Sequence, residues 1–227
     1  MMRFKDKVTL ITGASRGIGK SLAHAFAREG AHLLLTARTA ADLETVAHEI
    51  EARHNVRAIP VAGDVSNEDH VKQAVETAVR ELGRVDVLVN NAAIASVRPV
   101  WGLHLSNWEK TLAVNLTGTF LFTKHVWKPM KKQGGGAIVN IASTGGRRAS
   151  PLLSAYCASK WGQIGFSLAA AEEGKADTDF RAQIKEDKTQ MLAASDCDSV
   201  VLFLASDEAK WITGQVVEVE WFQSGAH

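Results

Sequence analysis

A single tyrosine, Tyr156, stands among the 227 residues, and cysteine is almost as scarce, with only Cys157 and Cys197. Two thiols build no disulfide framework, which fits a reducing compartment and a cytoplasmic location. Excess charge is also lacking: 26 Lys and Arg against 25 Asp and Glu leave a net charge of +1. With no run of like charges, a general role on nucleic acid or on a membrane surface has no electrostatic support. No apolar stretch reaches the roughly 20 residues that cross a bilayer. The opening "MMRFKDKVTLITG" enters a strand-like run without a signal-peptide core. Long disorder is excluded as well, because 46% of the residues are hydrophobic and only 22% charged. Solenoid repeats, low-complexity tracts and linkers are all missing, so residues 1–227 are expected to form one domain.

What is present is an alternation. Short β-branched runs, "KVTLITG", "AHLLLTAR", "VRAIPVAGDV", "VDVLVNNA" and "GAIVNIAS", are separated by longer segments with apolar residues at helical spacing. Asn67 is the expected cap of the helix in "NEDHVKQAVETAVRELG". The segment "SNWEKTLAVNLTGTFLFTKHVWKPMKKQ" reads as one extended helix stopped by Gly134, Gly135 and Gly136. Strand and helix in strict turn imply right-handed crossovers and a doubly wound parallel sheet covered on both faces. Ligands of such sheets bind outside the carboxyl ends of the strands, where the strand order reverses.

"TGASRGIG" lies in the turn between the first strand and the first helix. Its glycines permit a tight turn and close approach of a pyrophosphate to the positive end of the helix. The expected cradle is Gly13, Ser15, Arg16, Gly17, Ile18 and Gly19. The second strand ends Thr36-Ala37-Arg38, with no carboxylate before Asp42. An acid there would grip the ribose hydroxyl of NAD, whereas Arg38 and Arg16 suit the 2′-phosphate of NADP. NADP(H) is therefore expected over NAD(H). Asp64 and Val65, closing the third strand, are placed to meet the adenine. Asn91 and Ala92, closing the fourth, approach the cofactor from the other side of the switch point.

The lone tyrosine is followed four positions later by Lys160, on the same face of a helix. A phenol, with a pKa of about 10, is a poor base near neutrality, and an adjacent ammonium favours its ionised form. Such a pair is suited to exchanging a proton with an alcohol or carbonyl oxygen. Ser143 ends the fifth strand at the same sheet edge, where a hydroxyl can hold a substrate oxygen.

"TGASRGIG", "DV" at 64–65, "NNA" at 90–92, "VN" at 114–115, "IAS" at 141–143 and "YCASK" at 156–160 together resemble the classical short-chain dehydrogenase/reductase family, in particular its 3-oxoacyl-acyl-carrier-protein-reductase-like members. Order and spacing match from about residue 5 to 172, and "DSVVLFLASDEAKWITGQVVEVE" is similar to the family's last helix and strand. The resemblance implies a seven-stranded Rossmann fold and a dimer or tetramer. It implies Tyr156 as acid/base, Ser143 as donor to the substrate oxygen, and Lys160 as the group that lowers the tyrosine pKa and holds the nicotinamide ribose. Asn115, at a bend in the long helix, would anchor a water of the proton relay.

Three departures stand out. Ala93 replaces a usual glycine, and the last strand runs "EVEWFQSGAH" where paired glycines are usual. After Gly174 the family has a sixth strand ending in Pro-Gly, then a threonine contacting the nicotinamide amide. Here "AAAEEGKADTDFRAQ" follows; Thr178 matches that threonine, but about a dozen residues, the size of a strand and its turn, are missing before it. Two outcomes are expected: the last strand pairs directly with the fifth, or the chain is broken near Lys175 and Ala176.

The eight histidines lack metal-site spacing and partners. Arg147 and Arg148 read as an exposed loop pair, and Trp101 either walls a pocket or packs. The expected activity is NADP(H)-dependent interconversion of a ketone and a secondary alcohol. The alternative is a nucleotide-binding pseudoenzyme or truncated form without turnover.

Overall fold

Among the described residues, seven short parallel strands carry the architecture. The computed structural model describes residues 2–177, 181–187, 194–210 and 212–219. The strands are β1 (Val8–Thr12), β2 (His32–Ala37), β3 (Ala58–Ala62), β4 (Val87–Asn90), β5 (Ala137–Ile141), β6 (Arg181–Asp187) and β7 (Val216–Val219). They lie in the order β3-β2-β1-β4-β5-β6-β7, every pair parallel. The order reverses between β1 and β4, so the carboxyl ends of those two strands form the crevice of a doubly wound fold.

The helices are α1 (Gly17–Arg28), α2 (Ala40–Arg53), α3 (Glu68–Leu82), α4 (Leu105–Leu112), α5 (Gly118–Lys132), α6 (Ser154–Asp177) and α7 (Asp198–Ala205). β1 and β5 are buried at every residue, as strands covered on both faces must be. Alternate residues feed two cores. Ile11, Leu33, Leu35 and Val139 pack with Leu22, Phe26, Leu43 and Val201 on one face. Leu10, Leu34, Leu88 and Ile138 pack with Val75, Phe122, Val126 and Met130 on the other. α3 begins where expected: the Asn67 side chain accepts from the amides of Asp69 and His70, and Gly83 closes the helix at φ 84°.

The long helical segment is helical throughout but not uniform. A π-helical turn, Ala113–Thr117, separates α4 from α5 and contains Asn115, the position where the resemblance implied a bend.

A strand does lie between β5 and β7. The usual Pro-Gly strand is absent from the sequence, yet Arg181–Asp187 pairs with β5 on one side and β7 on the other. β7 therefore does not move over to β5, and α6 runs through Lys175 and Ala176 without a break. The expected direct pairing of the last strand with the fifth is corrected, and the reason lies in the backbone. The edges of β5 and β7 need backbone donors and acceptors, and any extended segment supplies them whatever its side chains. "RAQIKED" has one β-branched residue, so a reading by side-chain pattern passes over it.

Candidate active site

A cleft of about 440 Å³ opens at the carboxyl ends of β1 and β4. Gly13, Ser15, Arg16, Gly17 and Ile18 form one wall, Arg38, Asp64 and Val65 a second, and Asn91 and Ala92 a third. Gly13 and Gly17 have φ of 66° and 55°, which side chains rarely adopt. Gly19 is buried outside the cleft, and a Cβ there would run into the Gly13 carbonyl and the Asn91 amide. That close approach is what seats α1 under the loop. The first turn of α1 has no acidic residue, and Arg16 at its N-cap provides no side-chain acceptor. α3, by contrast, is capped by Asn67 and carries Glu68 and Asp69 in its first turn. The amides at the start of α1 are thus left to an anion.

Thr12, not singled out from sequence, organises the switch point. Its hydroxyl accepts from the amides of Asn91 and Ala92, each at 3.0 Å. The Asn91 side chain donates to the carbonyls of Thr12 (2.9 Å) and Gly13 (3.2 Å), so it clamps the glycine loop while lining the cleft. Burial pushes the Asp64 carboxyl up in pKa. Hydrogen bonds from the Ser66 hydroxyl and amide, with the charges of Arg38 and Lys110, outweigh that and hold it below its ordinary value. Asp42 lines the cleft near Arg38, so an acid does reach this region despite its absence from the strand end.

Ser143 follows β5, buried, its hydroxyl accepting from the Gly145 amide at 3.1 Å. The turn Thr144–Gly146 then lies against α6; a Cβ on Gly145 would come within 3.3 Å of the Tyr156 ring. Tyr156 is half-buried, with the Lys160 Nζ 5.9 Å from its ring centroid. Lys160 itself is only 1% exposed. It donates to the Ile141 carbonyl at 2.7 Å and to Gln163 Oε1 at 2.9 Å. Asn115 is fully buried: its Oδ1 accepts from the Ile94 amide (2.8 Å), and its Nδ2 donates to the Ile94 carbonyl (2.9 Å) and the Ser159 hydroxyl (3.0 Å). The Asn115 side chain thereby ties the loop after β4 to α6. Thr178 lies outside the described residues. Sequence reasoning missed Ser159 and Gln163; the available signal was a polar residue recurring on the face of α6 that also carries Lys160.

A second cleft, about 290 Å³, lies at the opposite sheet edge beside Arg3, Lys7 and Arg84. These cations are paired with Glu29 and Asp86, and no group of the Ser143–Tyr156 cluster is near it.

A family model for short chain dehydrogenases matches residues 7–179. A 3-oxoacyl-(acyl-carrier-protein) reductase of Aquifex aeolicus is 33% identical over 241 residues, covering 96% of this chain and 97% of that protein. That alignment is longer than the 227-residue chain, so it opens gaps on this chain's side. A D-threitol dehydrogenase of Mycolicibacterium smegmatis is 40% identical over 171 residues, 75% of this chain and 65% of that enzyme. The crystal structure of a short-chain type dehydrogenase/reductase from Mycobacterium marinum superposes with a TM-score of 0.91 at 29% identity, covering 96% of each chain.

Proposed function

Since the chain belongs to the short-chain dehydrogenase family, we propose that it is an NADP(H)-dependent oxidoreductase interconverting a ketone and a secondary alcohol. The observation that carries the reading is the Tyr156–Lys160 pair on one face of α6, against the turn from Ser143. Residues 1–227 are taken as a single dinucleotide-binding domain.

The cleft suits the cofactor. Uncapped amides at the start of α1 and the glycines of the loop accommodate a pyrophosphate, and Arg16 and Arg38, from two walls of the cleft, would pair a 2′-phosphate. Asp64 and Val65 border the adenine side, Asn91 and Ala92 the nicotinamide side. When bound, the nicotinamide group supplies or accepts the hydride. Ser143 holds the substrate oxygen by its hydroxyl. The Tyr156 phenol oxygen gives its proton to that oxygen in reduction and takes one in oxidation. Lys160 stabilises the phenolate and holds the nicotinamide ribose. Asn115 fixes the π-helical turn from which a proton relay would run, and Thr178 is assigned to the nicotinamide amide by likeness alone.

Support for a dimer or tetramer comes from the outer faces of α5 and α6. Phe120, Trp161 and Leu168 are exposed there, Phe120 edge-on to Phe166 at 6.0 Å. Among the described residues no helix is long and apolar enough to cross a membrane. Cys157 and Cys197 are unbridged, in keeping with a cytoplasmic location. The two relatives named above act on different substrates, so the substrate is assigned only as a small carbonyl or alcohol compound.

The test is to mix the protein with NADPH, then NADH, and a panel of ketones, following the reduced-nicotinamide absorbance. Turnover with NADPH in preference to NADH is expected. Binding without turnover across the panel would favour the second reading, a non-catalytic nucleotide-binding protein, for which the missing Pro-Gly segment speaks.

A further inference from the structure

Lys160 is a buried ammonium, and a buried charge persists only where acceptors surround it. Two neutral acceptors are directed at it: the Ile141 carbonyl, set by β5, and Gln163 Oε1, one helical turn further along α6. Gln163 is itself 1% exposed and has an amide that must choose an orientation. Its surroundings make the choice. The Thr119 hydroxyl donates its only proton to the Asn115 carbonyl at 2.9 Å. Thr119 Oγ1 is left to accept, and it accepts from Gln163 Nε2 at 2.9 Å. Gln163 Oε1 is thereby turned to Lys160. The chain of donors runs one way, from Lys160 through Gln163 and Thr119 to the backbone of the π-helical turn. On its other side, the Gln163 carbonyl accepts from Ser167, whose hydroxyl accepts from Asn140 at 2.6 Å, so the residue is held from both directions.

We propose that Gln163 is a positioning residue for the reaction: it holds the Lys160 ammonium charged and in place, and so sets how readily Tyr156 ionises. The inference rests on the catalytic reading of Tyr156 and Lys160 given above. Other charged and titratable groups among the described residues belong to α6 and the elements around it. Cys157 adjoins Tyr156, and Arg147 and Arg148 lie on the loop after the 144–146 turn. α4, packed on α6, carries exposed Glu109 and Lys110. β6, beside β5, contains Arg181, Lys185, Glu186 and Asp187. α5 meets Gln163 through the uncharged Thr119.

Because Tyr156 is the only tyrosine, its ionisation can be read directly from phenolate absorbance in the cofactor-free protein, without turnover. Gln163→Glu keeps the size of the side chain and sets a carboxylate against Lys160, cancelling its field at the phenol. Gln163→Met keeps the bulk and removes the acceptor. Both are expected to raise the midpoint of Tyr156 ionisation, Gln163→Glu by about one pH unit and Gln163→Met by less. Lys160→Met should raise it too, and adding Gln163→Met to Lys160→Met should move it no further, since the effect passes through the lysine. Midpoints in the two Gln163 variants equal to the parent's, with Lys160→Met shifted, would overturn the inference and leave the catalytic reading standing. The expected shifts in a protein that turns over no ketone would leave Gln163 controlling the Tyr156 ionisation but would overturn its role in a reaction, together with the catalytic reading.

Discussion

β5 and β6 are neighbours in one sheet and are made of opposite material. β5, "AIVNI", is buried at every residue, and Ile138 belongs to the core on the α3–α5 face. β6, "RAQIKED", has four charged residues and a glutamine around Ala182 and Ile184. Yet their ladders are continuous over five pairs, Ala137↔Arg181 to Ile141↔Lys185. The difference separates two sources of order. β5 is placed by what its side chains bury, and the backbone pairing follows. β6 is placed by the pairing that its two neighbours require. Of the candidate site, Ser143 closely follows β5, and Asn91 and Ala92 directly follow β4, both strands of the first kind.

If side-chain identity rules the first region, small changes there should be expensive. The largest expected effect is at the end of β5 and on α6. Tyr156→Phe removes one oxygen, and turnover should fall roughly 10²- to 10⁴-fold while NADPH affinity, read by fluorescence titration, stays nearly the same. Near-normal turnover in this variant would exclude Tyr156 as the acid/base. Within the core, Ile138→Ala should lower stability by about 2–5 kcal/mol in denaturant unfolding.

In β6 the expensive change is to the backbone. Gln183→Pro deletes an amide from a strand paired on both sides, at a cost of about 1–3 kcal/mol. Hydrogen exchange should then quicken in β6 and β7 and stay slow in β1 and β4. Equal acceleration in all four strands would erase the distinction drawn between the regions. For the cofactor, Arg38→Asp should weaken NADPH far more than NADH; equal weakening would mean that Arg38 reads no 2′-phosphate.

The smallest effect is expected on the surface of the first region. Glu68 joins α3 to α5 through Lys124 and His125, at 2.9 and 2.8 Å. Hydrogen bonds from these two, with the charges of Lys124 and Lys72, hold the Glu68 carboxyl at about 2, against an ordinary 4.5. A depressed carboxylate stabilises the fold above its unfolded-state pKa, and that contribution is lost as pH falls toward the folded-state value. Glu68→Gln should therefore be slightly less stable than the parent near neutrality. The gap should narrow from about pH 4.5 downward and close near pH 2, as checked by urea unfolding across that range.

The alternation of strand and helix, the glycine loop at the switch point and the Tyr156–Lys160 pair were legible because each is local. A loop of set spacing or an i, i+4 pair has the same geometry wherever the helix or strand is put. The cap at Asn67 was legible for that reason too. Thr12 was not, because its partners, Asn91 and Ala92, come from a strand far along the chain. Gln163 was not, because only the fold of α5 against α6 brings Thr119 to its amide and decides which end faces Lys160. The sequence by itself determined the sheet's winding, its apolar strands and the chemistry available at their carboxyl ends, since burial pattern and short-range spacing are written in side chains. Only the tertiary structure decided that Arg181–Asp187 becomes a strand and that the Lys160 ammonium is held by a glutamine. Backbone hydrogen bonds and buried polar networks depend on which groups the rest of the chain leaves unsatisfied, and no segment carries that information alone.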